Sequence, residues 1–204
     1  MLLYSRRLPH WFPDDAIVFV TWRLAGSIPP PSVVSVGQTI AFRGLPGSTA
    51  RTTVPAPFLQ HDERLERSHY GPAWLQDPRV ASMLMNALQH GETARQFYHL
   101  YAWVIMPNHV HVVLEPRTAM PSIVRWLKGR TGRMANRILG RTGMPFWQDE
   151  SFDHWVRSQE QLQDVIDYVE SNPVKAGLVG AQEQWPWSSA RFRADDKGRS
   201  SEPR

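Results

Sequence analysis

The 204-residue chain contains no cysteine, which excludes disulfide cross-links and thiolate metal centres and restricts any metal site to nitrogen and oxygen ligands. No apolar run approaches the roughly 18 residues needed to cross a bilayer, and Met1 to His10 lacks the apolar core of a secretory signal. The expected location is therefore the cytoplasm, on or near the nucleoid. There is no internal repeat. Acids are missing from one long stretch: Thr118 to Gln148 holds no Asp or Glu, yet it contains Arg125, Lys128, Arg130, Arg133, Arg137 and Arg141. The whole chain carries a net charge of only +4, so this is a local patch. A run of one sign is the electrostatic footprint expected of contact with a phosphate backbone. It serves equally as the outer side of a solvated helix whose apolar face is Ile123, Leu127, Met134 and Ile138. Gly129 and Gly132 lie within it and weaken the helix there, which would let main chain approach a phosphate closely.

With 42% hydrophobic residues and nine tryptophans, the chain has enough apolar surface for one core, and residues 1–192 are expected to form one domain. Residues 28–59 are rich in Pro, Gly, Ser and Thr without a sustained period and read as an irregular insertion, and the polar residues 193–204 read as a disordered tail. Elsewhere the pattern predicts a strand over 16–24. A helix follows Asp77-Pro78, with Asp77 as N-cap and Val80, Met83, Leu84, Ala87 and Leu88 buried. Strands are predicted over 97–106 and 109–114, joined at Pro107-Asn108, then the basic helix from Pro121 to about Leu139, a short strand over 154–157, and a further helix. The order β-α-β-β-α-β plus a helix implies an α+β ferredoxin-like sandwich with a central antiparallel sheet and helices packed on it. Trp185-Pro186-Trp187 should cap the core. Trp126 and Trp147, beside the basic run, read as packing residues, with base stacking as the other use of such rings.

Chemistry concentrates at His109-Val110-His111, flanked by Val104-Ile105 and Val112-Val113. On a strand, alternate side chains leave one face about 6.6 Å apart, so both imidazoles can reach a single cation. The same spacing also suits two hydrogen-bonded histidines on a half-buried sheet. Some sixty residues on, Leu162, Val165, Ile166 and Val169 form a helical stripe that Asn172-Pro173 and Gly177 are placed to end after about three turns. Asp164, Tyr168 and Asn172 fall on one ridge beside that stripe, so Tyr168 is either a core-edge aromatic or a group facing a cavity with Asn172.

Taken together, Met106-Pro107-Asn108-His109-Val110-His111, Leu127-Lys128-Gly129, Phe146-Trp147-Gln148, Ser151-Phe152-Asp153-His154, the run Tyr168 to Val179, and Trp187-Ser188-Ser189-Ala190 resemble the bacterial REP-associated tyrosine transposases. These are relatives of the small single-strand transposases of the His-hydrophobic-His class, with an IS200-like transposase domain. The ordered likeness covers most of 98–190, and Leu8-Pro9-His10-Trp11 with Phe19 to Leu24 extends it weakly toward the N-terminus. The resemblance implies that His109 and His111 bind a divalent metal, that Tyr168 is the nucleophile, and that Asn172 stands where relatives place a further polar ligand. Imidazole favours Mn²⁺, while phosphate and water oxygens suit Mg²⁺, so either ion would serve. The implied partner is single-stranded or hairpin-forming DNA, and the implied assembly is a monomer or homodimer.

Three functions compete at this point. The first is a single-strand endonuclease and strand-transferase that passes through a 5′-phosphotyrosine. The second is a domesticated hairpin-binding protein without cleavage, and the third an unrelated hydrolase using the histidine pair and a water. Intact His109, His111 and Tyr168 favour the first, because binding alone needs none of the three. The basic run has no evident use in hydrolysing a small substrate.

Overall fold

The computed structural model describes residues 16–27 and 71–193. The expected insertion over 28–59, the Leu8 to Trp11 motif and the tail beyond Arg193 lie outside the described residues. Four antiparallel strands, β1 (Ile17–Leu24), β2 (Tyr98–Ile105), β3 (His109–Pro116) and β4 (Trp147–Val156), lie in the order β2-β3-β1-β4. Helices α1 (Pro78–Thr93), α2 (Met120–Ile138) and α3 (Gln159–Lys175) complete the fold. This is the ferredoxin-like arrangement read from the sequence. α3 supplies an additional layer.

Strand alternation divides the core in two. Val18, Val20, Trp22 and Leu24 of β1 and Val110, Val112 and Leu114 of β3 share one cluster with Val80, Leu84 and Leu88 of α1 and Ile123 and Leu127 of α2. Phe19, Val104 and Val113 face the other way and pack with Leu162, Val165, Ile166 and Val169 of α3. Because the sheet is apolar on both faces, β1 and β3 are almost wholly buried.

α1 begins where the sequence places it. The Asp77 carboxylate accepts from Arg79 N at 2.9 Å, and Pro78 fills the first turn, where a missing N–H costs nothing. The Tyr98 hydroxyl donates to Leu88 O at 2.7 Å, and its ring lies against Gly91, where an added Cβ would meet the phenolic oxygen at 2.1 Å. Tyr98 is fully buried and cannot swing aside. Gly91→Ala is therefore expected to destabilise the fold by about 1–3 kcal/mol, seen as a lower urea midpoint with an unchanged slope.

Two expectations need correction. The last strand runs from Trp147 to Val156, much longer than 154–157. Its first half, Gln148-Asp149-Glu150-Ser151, lacks strand-forming residues because β4 is an edge strand paired only with β1. α3 is 17 residues long and contains Pro173 in its last turn. Proline there forgoes one hydrogen bond without ending the helix, which closes at Ala176 and at Gly177, where φ is +69°. The start of α3 is set by Ser158, whose hydroxyl accepts from Gln161 N at 3.1 Å. Gly132 packs closely, since a Cβ there would lie 3.3 Å from Trp147 Cδ1, and with Gly129 it lines the groove that also holds Lys128 and Arg133.

The tryptophans pack as read. Trp147 is buried and donates from Nε1 to Thr131 Oγ1 at 2.9 Å, and Trp126 lies between His90 and Phe97. Trp185 donates from Nε1 to Ile105 O at 2.9 Å and meets Trp187 edge-on.

Candidate active site

His109 and His111 leave β3 on its α3 side, 1% and 0% exposed. Their Nε2 atoms are 2.9 Å apart. Each Nδ1 has its own partner, Asn108 Oδ1 at 2.6 Å for His109 and Thr21 Oγ1 at 2.7 Å for His111. Asn108 Oδ1 is an acceptor, so His109 carries its proton on Nδ1 and turns its Nε2 lone pair toward His111. Where Thr21 accepts in the same way, two lone pairs face one another, an arrangement that a cation between them relieves. Thr21 is in place because it is the register partner of His111 across β1 and β3.

Tyr168 reaches the same face from α3. Its ring centroid is 6.3 Å from that of His111 and 6.2 Å from that of Phe19, which also touches His111 at 5.6 Å. The side chain is 9% exposed. Lys175, two turns on, places Nζ 4.2 Å from the Tyr168 ring centroid. Asn172 is fully buried, and its Nδ2 donates to Tyr168 O at 3.2 Å, while Oδ1 has no hydrogen-bond partner among the described residues. A buried carbonyl oxygen left unpaired costs about 1–3 kcal/mol. Among the described residues no group of three His, Cys, Asp or Glu side chains is placed to hold a metal.

Sequence reasoning missed Thr21 and Lys175. Lys175 was within reach, since a residue seven beyond Tyr168 shares its ridge. Thr21 required the strand register. His154 sits on β4 opposite Phe19 with Nε2 3.3 Å from Gln161 Nε2. Burial, and secondarily Arg157, hold its pKa below the ordinary histidine value. Glu170, 4% exposed, lies on the far side of α3 from Tyr168, and burial raises its carboxyl above the usual range against the opposing pull of Ser189 and Arg193.

Residues 72–172 match the sequence family described as "Transposase IS200 like". Through this segment the chain belongs to the IS200-like transposase family. The matched span of this IS200-like domain holds the histidine pair, Tyr168 and Asn172, and leaves out β1 with Thr21. The chain is 27% identical over 108 residues to the REP-associated tyrosine transposase of Escherichia coli (strain K12), a match covering 52% of this chain and 62% of that one. To a protein named as a REP-associated tyrosine transposase in Haemophilus influenzae it is 30% identical over 112 residues, covering 49% and 62%. The chain thus spans 62% of the length of both curated relatives. A solved structure of a REP-associated tyrosine transposase bound to a REP hairpin superposes with a TM-score of 0.53 at 17% identity, covering 98% of this chain and 89% of that one. At that identity the likeness speaks for the fold.

The basic run of the IS200-like domain divides in space. Arg125, Lys128 and Arg133 line a groove of about 780 Å³ between α2 and β4, on the sheet face opposite Tyr168, together with Asp149 and Asp153. Lys128 also donates to Asp149 O at 2.9 Å, tying helix to strand. Arg130 turns toward α1 beside His90, and Arg137, seven residues on, shares that side. Arg141 lies over the Trp74 ring at 3.7 Å, where Trp74 stacks on Phe146. The six residues read as one footprint therefore form a groove-lining set, a set on the α1 side and one cation committed to an aromatic stack. No helix among the described residues is long and apolar enough to cross a membrane.

Proposed function

We propose that this domain is a metal-dependent single-strand DNA endonuclease and strand-transferase that acts on hairpin-forming DNA through a 5′-phosphotyrosine. The observation that carries the reading is Tyr168 in ring contact with His111, whose Nε2 meets that of His109. His109, His111 and the unpaired Oδ1 of Asn172 fit a divalent cation, Mg²⁺ or Mn²⁺, by donor chemistry. Bound there, the ion would withdraw charge from a non-bridging oxygen of the scissile phosphate.

The chain's own residues supply the rest. The Tyr168 oxygen attacks phosphorus in line, forming the O–P bond as the bond to the 3′ oxygen breaks, and the phenolic proton ends on the freed 3′-hydroxyl. A second 3′-hydroxyl reverses the step without an external energy source, because the phosphotyrosine retains the bond. Lys175 holds positive charge against the Tyr168 ring, where it stabilises the negative charge that develops on the phenolic oxygen as its proton leaves. Asn108 and Thr21 fix the orientation of the two imidazoles.

The test is incubation with labelled hairpin DNA from repeats flanking the gene, in Mn²⁺ or EDTA, followed by a denaturing gel. A metal-dependent protein–DNA adduct supports the reading; tight binding without an adduct in any metal overturns it in favour of a binding protein. The divided basic run adds a second expectation. Arg125→Ala with Arg133→Ala should weaken DNA binding and reduce the slope of log affinity against log salt by about one per lost phosphate contact. An unchanged slope, measured by fluorescence anisotropy, removes the groove from the DNA path.

A further inference from the structure

Trp187-Ser188-Ser189-Ala190 is among the motifs that carry the family resemblance, yet the reaction above makes no use of it. The segment lies along the free edge of β2. Ile105 N donates to Trp187 O at 2.9 Å, Val104 bridges to Ser188, and Trp103 N donates to Ser189 Oγ at 3.0 Å. The Ser189 hydroxyl has one proton and two acceptors in range, Glu170 Oε1 at 2.6 Å and Trp103 O at 3.2 Å, and the shorter contact takes it. Arg193 then places Nε 3.2 Å from the same Glu170 oxygen and donates from Nη2 to Tyr101 O.

Capping a sheet edge needs only main chain. A buried carboxylate adds nothing to that and has a desolvation cost of several kcal/mol before pairing. Its position on α3 explains it. Glu170 is two residues from Tyr168, about 200° around the helix, so the two stand on opposite shoulders of the Leu162, Val165, Ile166 and Val169 stripe. The stripe holds α3 on the sheet but offers little resistance to rolling about the helix axis. Resistance comes from the shoulders, and Glu170 is tied at its shoulder to β2 through Ser189 and Arg193.

We propose that Ser189, Glu170 and Arg193 form a latch that sets the roll of α3 and thereby holds Tyr168 against the histidine pair. This rests on Tyr168 being the nucleophile. The three act as positioning residues. A roll of roughly 10° moves a phenolic oxygen about 8–9 Å from the axis by ~1.5 Å, and a displacement of about 1 Å can lower a rate about a hundredfold.

The experiment compares the full chain with Ser189→Ala, with the more exposed Arg193→Ala in case the first fails to fold, and with Glu170→Gln, which keeps an acceptor for Ser189. Three quantities are read: hydrogen exchange of the α3 amides, hairpin-DNA affinity, and the single-turnover rate of adduct formation at saturating DNA and Mn²⁺. Expected in the two alanine variants are about tenfold faster exchange across Val165 to Asn172, affinity within about twofold of the parent, and adduct formation slowed about 10- to 100-fold. Glu170→Gln should recover most of the rate. Unchanged exchange in both alanine variants removes the latch, and faster exchange with an unchanged adduct rate removes its positioning role. If the parent chain forms no adduct at all, the nucleophile reading fails and takes the positioning role with it, a failure distinct from unchanged exchange beside a normal parent adduct.

Discussion

Tyr168→Phe should bind hairpin DNA as tightly as the parent chain and form no covalent adduct with it. The substitution removes one oxygen and leaves the ring that touches Phe19 and His111, so packing in the α3 cluster is kept. Stability should fall by no more than about 1 kcal/mol, the worth of a single hydroxyl contact. Loss of the adduct, by contrast, should be complete, because phenylalanine has no atom that can bond to phosphorus. Anisotropy with labelled DNA and a denaturing gel separate the two effects. An adduct that persists in the variant would mean that another residue attacks, and Tyr168 would revert to a core-edge aromatic.

Removal of either imidazole should be nearly as severe. His109→Ala and His111→Ala are each expected to slow metal-dependent adduct formation about 10²- to 10³-fold, the equivalent of the several kcal/mol that charge withdrawal from a phosphate supplies. The two variants should differ in stability. His111→Ala leaves Thr21 Oγ1 without its partner in a site closed to water, at about 1–3 kcal/mol. His109 is bonded to Asn108, at the β2–β3 turn, so its loss should be milder. Calorimetric titration with Mn²⁺ gives a readout independent of cleavage: weaker binding in both variants is expected. Full metal affinity together with full cleavage would place the metal site elsewhere.

The elements most legible in the sequence are those whose signals are local. Asp77-Pro78 announces α1 because a carboxylate cap and a proline in the first turn act within a few residues, and His109-Val110-His111 announces a shared face because strand alternation is a property of the strand alone. Tyr168 and Asn172 share a ridge for the same reason. What stayed hidden depends on partners distant in sequence. Thr21 supports His111 from 90 residues away, through a strand register that no local pattern specifies. The first half of β4 looks like a loop because only its pairing with β1 makes it a strand. The basic run reads as one surface, yet its separation into two sides and an aromatic stack follows from where β4, α1 and Trp74 lie.

The placement of β1 has a consequence for how the chain is made. This apolar strand leaves the ribosome first among the described elements, yet it belongs in the middle of the sheet, between β3 and β4. About 90 residues separate Thr21 from His111, which at ordinary translation speeds is a wait on the order of 5–20 s. Throughout that interval Ile17–Leu24 is an apolar, β-branched segment without proline and without its partners. Shielding of this one strand until β3 arrives is therefore a requirement that the sheet order places on synthesis of the chain.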